Sequence, residues 1–78
     1  MTKELKKLRK KISKLDLKIQ KHLKKRSKIV EEISQIKKKY SLPIEDKERE
    51  QEILSKMDNK YVKKVFEEII RLSKELQK

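Results

Sequence analysis

The sequence predicts an all-α fold: a three-helix protomer with a long first helix, joined to a second copy in an antiparallel or intertwined helical homodimer. Three observations carry that expectation. Leu5, Leu8, Ile12, Leu15, Ile19, His22, Arg26, Ile29, Ile33, Ile36 and Tyr40 follow an unbroken 3,4,3,4 spacing, the mark of one helix packed lengthwise on others. Only 33% of the residues are hydrophobic against 49% charged, so the apolar side chains must be used in narrow stripes, which favours helices that share a core between chains. Strand-like alternation, internal repeats and flexible linkers are all missing from the sequence, and it contains no glycine.

The first helix is predicted over about residues 3–40, and at ~1.5 Å per residue it would be roughly 55 Å long. That is too long for a compact globule of 78 residues, so its apolar seam must find neighbours in another molecule. Pro43 disfavours helical geometry at Leu42 and places a turn over 41–45. Asp46 is a fitting N-cap for a short second helix carrying Arg49, Glu50, Ile53, Leu54 and Met57, and Asp58 can cap a third in the same way. That third helix aligns Val62, Val65, Phe66, Ile69, Ile70, Ser73, Leu76 and Gln77 along one side at spacings of three and four.

Composition excludes several function classes. With no cysteine there is neither a disulfide nor a thiolate metal site, and a lone histidine, His22, cannot hold a metal by itself. No serine, cysteine or histidine constellation for nucleophilic catalysis and no glycine-rich phosphate loop is present. No 18-residue apolar run and no apolar signal core at the N-terminus exist, so neither membrane spanning nor secretion is expected and the predicted location is cytoplasmic. The net charge of +12 admits a polyanion partner, a membrane surface or simply a soluble lysine-rich surface.

The polar residues worth weighing fall into three groups. Arg26 lies on the apolar seam itself, where a guanidinium that keeps its proton needs an anion, either a protein carboxylate or a bound ligand. On spacing alone those two accounts are equally good. Arg9 and Lys37 lie beside the seam on the line 9, 16, 23, 30, 37, where the simpler reading is a solvated coiled-coil flank. For Asp46, Arg49 and Glu50 the simpler reading is a helix cap followed by surface charges, and for Ser73 and Gln77 it is fraying toward solvent.

Taken in order, these residues carry a family resemblance. The run Leu8-Arg9-Lys10-Lys11-Ile12-Ser13-Lys14-Leu15-Asp16 resembles the opening of the all-helical, AroQ-type chorismate mutases. The likeness continues through Lys25-Arg26, Ile36-Lys37, Leu42-Pro43-Ile44 and Asp46-Lys47-Glu48-Arg49-Glu50, and closes with Ile69-Ile70-Arg71-Leu72-Ser73-Lys74-Glu75-Leu76-Gln77. It covers nearly the whole chain, which would then be a single chorismate mutase domain over residues 1–78.

The resemblance implies a homodimer with two equivalent sites that convert the dianion chorismate to prephenate, on the route to phenylalanine and tyrosine, without a cofactor. The position matching Arg9 would enter each site from the partner chain. Those matching Arg26, Lys37, Asp46, Arg49, Glu50, Ser73 and Gln77 would come from one protomer. Arg26 and the partner's Arg9 would hold the two carboxylates, with Ser73 in support. Lys37 and Gln77 would donate to the ether oxygen as its bond lengthens. Glu50, with the backbone near Asp46, would accept from the ring hydroxyl, and Arg49 would order these acidic groups and close the site.

Two features depart from the family pattern: the stretch 50–58 is short, which threatens the cover of the pocket or the phase of the third helix, and Ser34 stands where a glycine is common. Two other functions compete. Elimination of pyruvate from isochorismate could use the same scaffold. A non-enzymatic basic coiled coil could bind nucleic acid, but Phe66, Tyr40 and Tyr61 form no evident stacking platform, so no specific nucleic-acid partner is expected.

Overall fold

In the computed structural model, which describes residues 2–78, three helices follow one another: α1 (Lys3–Lys39), α2 (Lys47–Ser55) and α3 (Lys60–Leu76). Each starts on a polar cap whose side-chain oxygen accepts an amide proton that the first helical turn leaves unpaired. Thr2 accepts from Leu5, Asp46 from Arg49 and Asn59 from Val62. Asp46 thus caps α2 as expected, whereas α3 is capped by Asn59 and not by Asp58. Asparagine and aspartate cap equally well, and the chain stays non-helical through Asp58, so the role falls to the next residue.

The end of α1 shapes everything after it. Beyond the capping residue Tyr40, Ser41 takes a left-handed conformation with φ of 53°. Its N–H donates to the Lys38 carbonyl at 3.3 Å, and the Leu42 N–H donates to the Lys37 carbonyl at 2.7 Å, the two bonds of a Schellman stop. Glycine is the usual occupant of that position, and a side chain there strains the backbone. Ser41→Gly is therefore expected to raise stability by about 1 kcal/mol, read as a higher urea midpoint at fixed protein concentration; a lower midpoint would refute the strain. Pro43 follows this stop and the turn over 41–45 reverses the chain.

Contacts along α1 and α3 climb together. Leu15 and Ile19 share a groove with Tyr61 and Val62, Arg26 meets Ser73, and Ser34 and Lys37 meet Gln77. Therefore α3 runs parallel to α1, with α2 as the short return between them. The shape is elongated, 56 × 23 × 16 Å, its long dimension set by α1. Among the described residues no helix is long and apolar enough to cross a membrane.

The face that α1 turns inward is not the seam counted in the sequence. Its buried residues are Val30 and Ser34, opposite Ile70, Ser73 and Gln77 of the α3 side, while Ile29, Ile33 and Ile36 keep 55%, 41% and 54% of their surface exposed. The reason is one of supply. Nine residues of α2 and 17 of α3 can cover one side of part of a 37-residue helix and no more. Every residue over 2–25 is exposed, including Leu8, Ile12, Leu15 and Ile19. That apolar strip of the long helix is left uncovered by its own chain.

Candidate active site

Where α1, the turn, α2 and α3 meet, they enclose a cavity of about 260 Å³. Val30, Ile33, Ile44, Ile53 and Ile70 supply its apolar walls, and Arg26, Lys37, Asp46, Arg49, Glu50, Ser73, Lys74 and Gln77 its polar groups. Helical spacing explains the grouping. Arg26 and Lys37 are three turns apart on α1, and Ser73 and Gln77 are one turn apart at the end of α3, so the parallel helices bring Arg26 to Ser73 and Lys37 to Gln77.

Lys37 is held at both sides. Its ammonium donates to the Ile44 carbonyl at 2.7 Å and to Gln77 Oε1 at 2.8 Å, which leaves one N–H of three uncommitted. The Schellman stop makes the first bond possible, because it folds Ile44 back over the last turn of α1. Gln77 Nε2 donates to the Ser73 carbonyl at 3.3 Å, so its amide also retains one free donor. Ser34 Oγ donates to the Gln77 backbone carbonyl at 3.5 Å. The residue that departs from the family's glycine thus fits the close α1–α3 contact and ties down the end of α3.

Arg26 donates to Ser73 Oγ, and Ser73 in turn donates to the Ile69 carbonyl at 2.7 Å. Burial and then the charge of Arg49 hold the Arg26 guanidinium below its ordinary pKa. A guanidinium starts high enough to stay protonated regardless. Among the described residues no carboxylate forms an ion pair with Arg26 or Lys37; the ion pairs near the cavity are Arg49 with Glu52 at 3.1 Å and Lys74 with Glu50 and Glu45. The lining therefore sets four cations against two carboxylates. An arrangement with two unneutralised cations in a partly apolar cleft has the charge and size to receive a small anion.

The cavity unites Arg26, Lys37, Asp46, Arg49, Glu50, Ser73 and Gln77, all residues singled out from the sequence. Several simpler readings fall with it. Lys37 is half-buried and not a solvated flank, and Ser73 and Gln77 are buried and not fraying. The short α2 leaves α3 in the phase that delivers both of them. Arg9 is not brought to this cavity by its own chain: it lies on the exposed half of α1 with Lys6, Lys10, Ser13 and Lys14, roughly 26 Å along the helix from Arg26 at ~1.5 Å per residue. His22 is exposed and lines the apolar groove between α1 and α3.

Sequence reasoning missed Lys74, which joins α3 to Glu50 across 24 positions, a separation that no local pattern encodes. It also passed over Val30 as core, although the flanking line 9, 16, 23, 30, 37 was a signal, since Leu23 and Val30 make it apolar just before Lys37. Among the described residues no group of three or more His, Cys, Asp or Glu side chains is placed to hold a metal ion.

Residues 8–78 match the family described as chorismate mutase type II. The chain is 42% identical over 73 residues to the bifunctional chorismate mutase/prephenate dehydratase of Aquifex aeolicus (strain VF5), a match covering 94% of this chain and 17% of that longer protein. It is also similar to the solved structure of a conserved hypothetical protein from Pyrococcus furiosus, with a TM-score of 0.92, 42% identity and 100% of both chains covered.

Proposed function

The chain belongs to the chorismate mutase type II family, and from that footing we propose that it converts chorismate to prephenate, a step toward phenylalanine and tyrosine, as a single domain over residues 1–78. One observation carries the proposal beyond family membership: Arg26 and Lys37 converge on a small cavity with no carboxylate paired to either among the described residues. A dicarboxylate supplies the missing countercharge. It also offsets the burial and the repulsion from Arg49 that, in that order, lower the Arg26 pKa.

The reaction is an intramolecular shift in which an ether C–O bond breaks as a C–C bond forms, so the protein needs no nucleophile and no proton shuttle. Its work is posture and electrostatics. Arg26 and the partner's Arg9 hold the two carboxylates, and Ser73 fixes the Arg26 fork, so the flexible dianion stays in the folded conformer that brings the reacting carbons together. As the ether bond lengthens, negative charge grows on its oxygen. The uncommitted N–H of Lys37 and that of Gln77 are the donors for it, and they bind the transition state better than the substrate. Both are fixed by their other hydrogen bonds, so little reorganisation accompanies the reaction. Glu50 accepts from the ring hydroxyl beside Asp46, and Arg49, on the exposed rim, closes over them.

The site is completed by a homodimer. The exposed strip of α1 supplies apolar surface of about 1.5–3 kcal/mol for each fully buried Leu or Ile, and pairing removes it from water. Beyond Lys39 the acidic and basic residues balance, so α1 carries the whole positive excess. Two such helices repel at low salt, and the dimer is therefore expected to tighten as ionic strength rises from about 0.01 to 0.15 M; sedimentation at fixed concentration tests this, and dissociation on adding salt would refute it.

An ultraviolet assay of chorismate consumption with the product identified tests the activity. Prephenate formation is the expected result. Pyruvate release from isochorismate, with no prephenate from chorismate, would assign the elimination reaction instead.

A further inference from the structure

Lys74 has no part in the roles above, yet it faces the same cavity from between Ser73 and Gln77. Its ammonium lies 3.3 Å from Glu50 Oε1 and 3.6 Å from Glu45 Oε1. It therefore joins α3 to the turn through Glu45 and to α2 through Glu50. The Lys74 and Glu50 side chains are largely withdrawn from solvent, at 29% and 23% exposure. The other oxygen of the same carboxylate, Glu50 Oε2, is buried and has no hydrogen-bond partner among the described residues.

Buried carboxylate oxygens are normally satisfied, and an orphan beside a ligand cavity is a reserved acceptor. A carboxylate that keeps its charge can only accept, so the group it awaits is a donor such as an alcohol. We propose that Lys74 is a positioning residue: by binding Glu50 Oε1 it fixes the orientation of the carboxylate, with Oε2 presented to the substrate's ring hydroxyl. This deepens the chorismate reading and rests on it. Lys74 also neutralises a crowded corner. The groups around Glu50 are Glu45 and Asp46 of the turn, Arg49 of its own helix, Lys74 of α3, and Arg26 and Lys37 across the cavity.

The test compares the parent chain with Lys74→Met, which keeps the length of the stem but not the charge, and with Lys74→Arg. The methionine variant is expected to lose about tenfold in kcat/KM, mostly through KM, with helix content and dimer intact. Arginine, which keeps the charge and can still reach Glu50 Oε1, should restore the parent KM. Mutase activity in the parent with an unchanged kcat/KM in Lys74→Met would overturn the inference alone. An inactive parent would instead remove the mutase reading and its hydroxyl.

Discussion

Lys37→Ala is expected to lower kcat for prephenate formation by about 10²–10³-fold, the usual consequence of deleting one donor to a developing oxyanion. The expectation follows from how Lys37 is held. Two of its three donors are tied to Ile44 O and Gln77 Oε1, so the third has a fixed direction and contributes chiefly when charge appears on the ether oxygen. Substrate binding should suffer less, because the carboxylates are met by arginines. Arg26→Ala should show the complementary pattern, with KM raised strongly and turnover falling as the dianion loses its posture. Removing Lys37 also frees two acceptors near the turn, at a cost of about 1–3 kcal/mol for each one left dry, so each variant must first show a helical circular dichroism spectrum and the parent's oligomeric state. Folded variants that turn over chorismate at the parent rate would defeat the proposed site.

What the sequence disclosed and what it hid have the same physical origin. Periodicity reports which residues share a helical face, and that was enough to place three helices, the stop near Pro43 and the cap at Asp46. It does not report which face meets which neighbour. The counted seam from Leu5 to Tyr40 is, Arg26 apart, the exposed strip, while the protomer packs through Val30 and Ser34, because α2 and α3 are too short to cover more. Arg26 drew attention as a cation on an apolar line, yet its neighbour Ser73 is 47 positions away and no spacing rule joins them. The family resemblance named most of the site because it encodes that long-range register. It could not name Lys74, whose contact depends on the turn placing Glu45 and on α2 placing Glu50.

Mixing an Arg9→Ala chain with an Arg26→Ala chain should restore about a quarter of the parent's activity at equal proportions, although each homodimer alone is nearly inactive. Arg9 lies on a stretch of α1 in which every residue over 2–25 is exposed, and its own chain does not carry it to the cavity. An isologous pairing must treat both chains alike. If two first helices cross antiparallel with the two-fold axis level with Leu17 and Lys18, Arg9 of the partner subunit comes level with Arg26, where the cavity has charge to complete and α1 has apolar surface to cover. In a mixed dimer, one site then receives both intact arginines and the other receives neither. Half of the dimers formed at random are mixed, and half of their sites are whole, which gives the quarter. Were Arg9 to act within its own chain, every site in every dimer would lack one arginine and mixing would recover nothing. The measurement is chorismate turnover before and after subunit exchange, with mixed dimers verified by native mass spectrometry; verified exchange without recovery would reject the contribution of Arg9 across the interface.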